Sequence, residues 1–153
     1  MALYTKESVR LGASLPEISR QWNIELFTNR HVQVYGSGRI VEEEWPEQNI
    51  HSDHDAARRE GLAEVVGSAP QPIAQIHRSM MMAFGAGWVA GGRIKAKMIK
   101  PLLEHDFTTA KGRVTGLSLE SGADRLRVAC EAWVERRDGT KIMVATASAV
   151  MRD

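Results

Sequence analysis

The stretch Pro72-Ile73-Ala74-Gln75-Ile76-His77-Arg78-Ser79-Met80-Met81-Met82-Ala83-Phe84-Gly85-Ala86-Gly87-Trp88-Val89-Ala90-Gly91-Gly92 decides how this chain folds. Ile73, Ile76, His77, Met80, Phe84 and Trp88 recur at helical spacing, which predicts one long helix from about Pro72 to about Ala90. Ala83, Gly85, Ala86 and Gly87 keep the rest of its surface thin. That suits a helix wrapped by a sheet rather than one lying on the outside. Gly91-Gly92 supplies an abrupt stop.

Downstream the periodicity changes to that of strands. Arg93 to Lys100 alternates through Ile94, Ala96 and Met98 until Pro101 breaks it. Phe107 to Leu119 follows, with Gly112 and Gly116 permitting bends or bulges. Leu126, Val128, Cys130, Ala132 and Val134 form one face of the next strand, opposed by Arg125, Arg127, Glu131 and Glu135. Asp138-Gly139 signals a hairpin into a last strand, Lys141 to Met151.

Upstream, Trp22, Ile24 and Leu26 alternate within Ile18 to Phe27, a strand signal. Thr28 can cap a short helix from Asn29 to about Tyr35, ended by Gly36-Ser37-Gly38. Arg39 to Ile50 reads as a loop with an acidic core, Glu42-Glu43-Glu44-Trp45-Pro46-Glu47. It is either a solvated connection or a cover in which Trp45 and one glutamate close over a substrate. Ser52 can cap a second short helix, Asp53 to about Glu60, stopped by Gly61. These elements make an α+β chain: a strand, helices, then an antiparallel meander able to curl around the long helix.

Residues 1–153 form one domain, large enough to bury a core. Twenty basic and 19 acidic side chains leave a net charge of +1, so no field points to nucleic acid or a membrane surface. The longest apolar run, Ile73 to Ala90, is interrupted by Gln75, His77 and Arg78 and does not read as a membrane span. The opening residues lack the apolar run of a signal peptide, and a bacterial-type cytoplasm is the expected location. The single cysteine, Cys130, excludes an internal disulfide and reads as a buried structural thiol. There is no nucleophile elbow, Walker loop or dinucleotide fingerprint.

Asn49-Ile50-His51-Ser52-Asp53 places a histidine at the mouth of a short helix just ahead of the long one. Histidine is the side chain poised to exchange a proton near neutral pH. The nearby His54 and Asp55 invite a metal reading, but the cluster has no recognised ligand spacing, and no metal is expected.

The order of these pieces resembles the hot-dog fold, an antiparallel sheet wrapped around a long central helix. More narrowly it is similar to the MaoC-like dehydratase family of (R)-specific enoyl-CoA hydratases and 3-hydroxyacyl dehydratases. Val9 to Pro16 resembles the family's "VxxGxxLP" and Tyr35-Gly36-Ser37-Gly38 its "YAxxSGD". Asn49 to Asp53 with Ala56, Ala57 and Gly61 resembles "NPIHxDxxxAxxxGF". Pro72-Ile73-Ala74 resembles the "PIAHGML" that opens the central helix, and Ile99-Lys100-Pro101-Leu102 the strand "FxxPV".

The resemblance implies a hydro-lyase acting on an acyl thioester carried by coenzyme A or acyl carrier protein, with no other cofactor. It also implies a homodimer or higher hot-dog oligomer, joined edge to edge, with a heteromer as the alternative. His51 matches the catalytic histidine, and the N–H of Ile76 the donor to the thioester carbonyl. The family's aspartate is replaced: Arg39 or Pro46 falls at its position, depending on the anchor, and Glu47 is the nearest loop carboxylate. His77 and Arg78 stand where the family has Met-Leu. The expected catalytic set is therefore His51 with Glu47 or His77, and the expected substrate-binding set is Ile76, Arg78, Trp45 and Asn49. A non-catalytic acyl-binding subunit and a hot-dog thioesterase are the alternative readings.

Overall fold

The computed structural model describes residues 2–28, 48–120 and 124–151. The expected helix after Thr28, the acidic loop with Trp45 and Glu47, and the two candidate aspartate positions, Arg39 and Pro46, lie outside the described residues.

Among the described residues, seven strands and four helices follow one another: β1 (Ile18–Gln21), α1 (Ile24–Thr28), α2 (His54–Arg59), β2 (Val66–Gly67), α3 (Pro70–Phe84), α4 (Ala86–Gly91), β3 (Arg93–Met98), β4 (Leu102–Leu103), β5 (Phe107–Leu119), β6 (Leu126–Arg136) and β7 (Lys141–Met151). Five strands form an antiparallel sheet in the order β1-β5-β6-β7-β3, while β2 and β4 pair separately. The helix lies between sheet strands β1 and β3, which end up at opposite edges, so the sheet curls around it. This is the hot-dog fold.

The inner face of β6 buries Leu126, Val128, Cys130, Ala132 and Val134, as their alternation predicts. On β7 the inward residues Ala145, Ala147 and Ala149 are small. On α3 the buried positions advance as Gln71, Pro72, Gln75, Ile76, Ser79, Met80, Ala83 and Phe84, one stripe along the helix. Burial pushes the Cys130 thiol up to about 12, so it stays protonated as a core side chain. The expected bulge near Gly116 is present: the β5–β6 register shifts between Val114 and Gly116.

Three element assignments are corrected. The long helix begins at Pro70 and breaks at Gly85, whose φ of 51° and ψ of −123° leave the helical region; α4 then starts afresh. The residues of α4 that meet the sheet are glycines: a Cβ on Gly87 would come 2.5 Å from the Val150 carbonyl oxygen. The strand expected from Ile18 to Phe27 stops at Gln21. There Asn23 Oδ1 accepts a hydrogen bond from the Leu26 N–H (2.9 Å) and starts a helix instead. Asp53, rather than Ser52, caps α2, with its Oδ1 accepting from the Ala56 N–H at 2.7 Å. Among the described residues, no helix is long and apolar enough to cross a membrane.

Candidate active site

His51 sits in a turn that Asn49 closes. The Asn49 carbonyl accepts from the N–H groups of Ser52 (3.0 Å) and Asp53 (2.9 Å), and its Oδ1 accepts from the His51 N–H at 2.8 Å. The Asn49 N–H donates to Ser52 Oγ at 3.1 Å, so Ser52 locks the turn while Asp53 caps the helix. Asn49, expected to touch substrate, is thus placed to shape the loop beneath His51.

The imidazole is held by β2. His51 Nδ1 lies 2.6 Å from the Val66 carbonyl oxygen, and the Val66 N–H donates to the Ile50 carbonyl at 3.0 Å. A carbonyl oxygen can only accept, so Nδ1 carries the proton in this contact. In the neutral ring that leaves the Nε2 lone pair open. Val66 is buried while His51 is half-buried, and His51 Nε2 makes no hydrogen bond to a described residue.

Strand β2 is wedged between β4, α3 and α1. A Cβ on Gly67 would meet Leu102 Cδ2 at 2.6 Å, Gln71 Oε1 at 2.8 Å and Phe27 Cε1 at 2.9 Å, so only glycine fits. Gln71 Oε1 accepts from the Ser68 N–H (2.7 Å), and its Nε2 donates to the Leu26 carbonyl (3.0 Å). This binds the end of α1 to the start of α3. One turn on, the Gln75 amide donates to the carbonyls of Ile18 (2.9 Å) and Thr108 (3.2 Å) and accepts from Thr108 Oγ1 (2.8 Å). Thr108 Oγ1 also takes the Trp22 indole N–H at 2.7 Å. Gln75, at the family's histidine position, is therefore an anchor for β1 and β5.

Ile76, expected as the donor to the thioester carbonyl, is placed inside the central helix. Ile76 is fully buried and lies within the second turn of α3, where its N–H belongs to the helix's own ladder. The first turn is poor in donors. Pro70 and Pro72 have no N–H, and the Gln71 N–H donates to the Ser68 carbonyl at 3.0 Å. The Ala69 N–H, at the N-cap, has no hydrogen-bond partner among the described residues.

His77 is exposed rather than on the buried stripe. Its ring packs at 5.3 Å from that of Trp88, tilted by 58°, toward the end of α3 away from β2. No hydrogen bond joins it to His51 among the described residues. Arg78 is exposed beside it and makes no ion pair with a described residue. Glu47 and Trp45 lie outside the described residues.

Pattern reading missed Glu104 and His105, and with them the partner of His54. Glu104 follows β4 and donates its N–H to the Val65 carbonyl at 3.1 Å, so it belongs to the same small sheet that holds His51. Its nearly buried carboxylate receives His54 Nε2 at 2.8 Å, with His105 Nε2 at 3.7 Å. Glu104 lies 50 residues from His54 in the chain, and no local spacing announces their meeting. No group of three or more His, Cys, Asp or Glu suited to hold a metal occurs among the described residues.

By sequence, the chain matches no protein-family model and no curated protein. By structure, it is similar to a MaoC-like dehydratase from Rhodospirillum rubrum. The TM-score is 0.74 and the identity 17%, over 97% of this chain and 96% of that one. The ChsH1-ChsH2 complex from Mycobacterium tuberculosis matches with a TM-score of 0.69 at 18% identity, over 94% of this chain and 99% of that one. The (R)-hydratase from A. caviae involved in PHA biosynthesis matches with a TM-score of 0.66 at 12% identity, over 96% and 99%. The hot-dog fold is thus shared along nearly the whole chain with MaoC-like dehydratases and (R)-hydratases.

Proposed function

We propose that this protein is a hydro-lyase of the MaoC-like kind, interconverting a 2-enoyl and a 3-hydroxyacyl thioester. The observation that carries the reading is the His51–Val66 contact. It orients an imidazole on the loop ahead of the central helix with Nε2 open, in a fold whose neighbours are named dehydratases and hydratases.

In the hydration direction, His51 Nε2 takes a proton from water as the hydroxide oxygen bonds to the β-carbon. The electron pair of the C=C bond moves to the α-carbon, which takes up a proton. Dehydration is the reverse. Glu47, two residues before Asn49, is the group proposed to serve the α-carbon. The Ala69 N–H, at the positive end of α3, replaces Ile76 as proposed donor to the thioester carbonyl. Trp45 is proposed to cover the acyl chain. Arg78 is proposed to meet a phosphate of coenzyme A or of an acyl carrier's prosthetic arm. The test is turnover of short 2-enoyl thioesters by the native chain and by His51→Asn. Undiminished turnover in the variant would end the proposal.

A second reading is a non-catalytic hot-dog subunit of a heteromeric dehydratase. Arg39 or Pro46 in place of the family's aspartate favours it, and one structural neighbour is a complex of two named chains. Turnover by the chain alone, lost on changing His51, would exclude this reading.

A further inference from the structure

The Glu104 carboxylate has no part in the chemistry proposed above, yet the fold takes trouble to place it. Its side chain is 9% exposed. Oε2 lies 2.8 Å from His54 Nε2, and a carboxylate only accepts, so Nε2 carries the proton. His105 Nε2 stands 3.7 Å from the other oxygen.

The turn that presents Glu104 is held against backbone strain. His105 has a φ of 68°, the one positive φ of a non-glycine among the described residues. That conformation costs free energy for a residue with a Cβ, and it persists where its surroundings over-determine it. Here they do. The Leu103 N–H donates to Asp106 Oδ2 (2.9 Å), and the Asp106 N–H donates back to the Leu103 carbonyl (3.2 Å). Arg136 Nε donates to both Asp106 oxygens (2.8 and 2.9 Å), and Gln21 Nε2 to the His105 carbonyl (2.8 Å).

Glu104 and Val66 each make a main-chain bond and a second bond that fixes a histidine. The Val66 N–H meets the Ile50 carbonyl, and its own carbonyl takes His51 Nδ1. The Glu104 N–H meets the Val65 carbonyl, and its side chain takes His54. These contacts close a circuit: from His51 to β2, across to Glu104, and back through His54, three residues beyond His51. Among the described residues, His54 is the one side chain of α2 that hydrogen-bonds outside the helix, since Asp55 pairs with Arg58 within it. The Asp53 cap is local to the turn and moves with it. Burial of Ala56 and Ala57 holds α2 down, but apolar packing is non-directional.

We propose that Glu104 and His54 are positioning residues for His51: their hydrogen bond fixes the start of α2 to β4 and so keeps the imidazole on the Val66 carbonyl with Nε2 free. The inference rests on the proposed role of His51 and extends it to a carboxylate that does not touch substrate.

The test reads the ring directly. Nitrogen-15 NMR of histidine-labelled protein at about pH 8.5, above the usual histidine range, reports which ring nitrogen carries the proton. His51 is assigned by its loss in His51→Asn. The native chain should show His51 as the Nδ1–H tautomer alone. Glu104→Leu should show a mixture of both tautomers, with kcat for a short 2-enoyl thioester down by about 10- to 100-fold and KM little changed. Glu104→Gln keeps an oxygen to accept from His54 and should restore the native tautomer and most of kcat. A Glu104→Leu chain with native tautomer and native kcat overturns the proposal. So does a loss of kcat with the native tautomer kept, or a glutamine variant as impaired as leucine. Should Glu104→Leu not fold, His54→Ala opens the same link from its 47% exposed end, with His54→Gln as the restoring change and the same outcomes deciding. If the native chain turns over no enoyl thioester, the hydro-lyase reading fails, while the tautomer of His51 still decides the positioning role.

Discussion

His51 Nδ1 and the Val66 carbonyl oxygen stand 2.6 Å apart, and this contact sets both the orientation and the tautomer of the candidate catalytic ring. It separates two roles that one substitution can pull apart. The amide nitrogen of asparagine can take the place of Nδ1, but asparagine has nothing at Nε2. His51→Asn should therefore keep the Val66 bond and lose turnover by about 100- to 10,000-fold. His51→Ala should lose turnover equally and also leave the buried Val66 carbonyl unpaired, at about 1–3 kcal/mol of stability. Urea unfolding of the three chains, set beside their rates, checks both halves. Equal stabilities for the two variants would show that the contact contributes nothing to the fold.

Gly67 guards the same anchor from the other side. In Gly67→Ala the added methyl meets Leu102, Phe27 and the Gln71 amide oxygen at under 3.0 Å, all inside packed structure. The amide oxygen is also the acceptor for the Ser68 N–H, so it cannot retreat without losing a bond. A loss of about 1–3 kcal/mol is expected, with turnover falling as β2 carries Val66 away from His51. Gly61 serves as the control for added side-chain volume: a methyl there meets nothing within 4 Å, and only its φ of 78° opposes the change. Gly61→Ala should lower stability slightly and leave the rate per folded molecule unchanged.

Gln75 shows what the fold requires of a polar residue on the buried stripe of α3. Its amide bridges Ile18, Thr108 and, through Thr108 Oγ1, the indole of Trp22. Gln75→Leu keeps the volume and removes every bond, leaving buried carbonyls and a hydroxyl short of partners. Roughly 2–4 kcal/mol of stability should go. Because β1 is a four-residue edge held partly by this amide, its N–H groups should exchange with solvent faster than those of β6. Uniform loss of protection across the sheet would contradict the local role.

Most of the sheet was legible before the structure, because period-two alternation in β3 and β6, and the Asp138-Gly139 turn signal ahead of β7, meet little competition. The errors fall where one polar side chain outweighs the apolar pattern. Asn23 caps a helix inside an alternating run, and Asp53 takes the cap expected from Ser52. Gly85 lets the chain leave helical geometry within a stripe that otherwise continues to Trp88. The site was legible only as far as His51. Its anchor, Val66, lies 15 residues on and acts through a backbone carbonyl, which no side-chain motif records. His77 shares helical spacing with the buried stripe, yet its ring turns out to Trp88. Ile76 occupies the position that resemblance marked for a donor, yet it lies fully buried in the second turn of α3, beyond the N–H groups that a helix start leaves free.

The outer face of the sheet makes a pH-dependent prediction. The Lys111 ammonium, with help from the Trp133 indole N–H, holds the Glu135 carboxyl below the usual carboxylate range, and Glu135 in turn raises Lys111. A carboxyl whose folded pKa is depressed contributes stability above its unfolded value of about 4.3. That contribution is lost as pH falls through the folded pKa. The raised Lys111 contributes below about 10.4 and loses that contribution as pH rises through its folded pKa. Both contributions are present together at neutral pH. Lys111→Met should accordingly be less stable than the native chain at pH 6–7, by a margin that shrinks on acidification through about pH 4 and below. It should be smaller in high salt at every pH, since the pair is solvent-accessible. Thermal midpoints of the two chains from pH 7 down to pH 3 test this directly. A gap that stays constant through the acid range would mean that the aliphatic stem of Lys111, and not its charge, holds Glu135 in place.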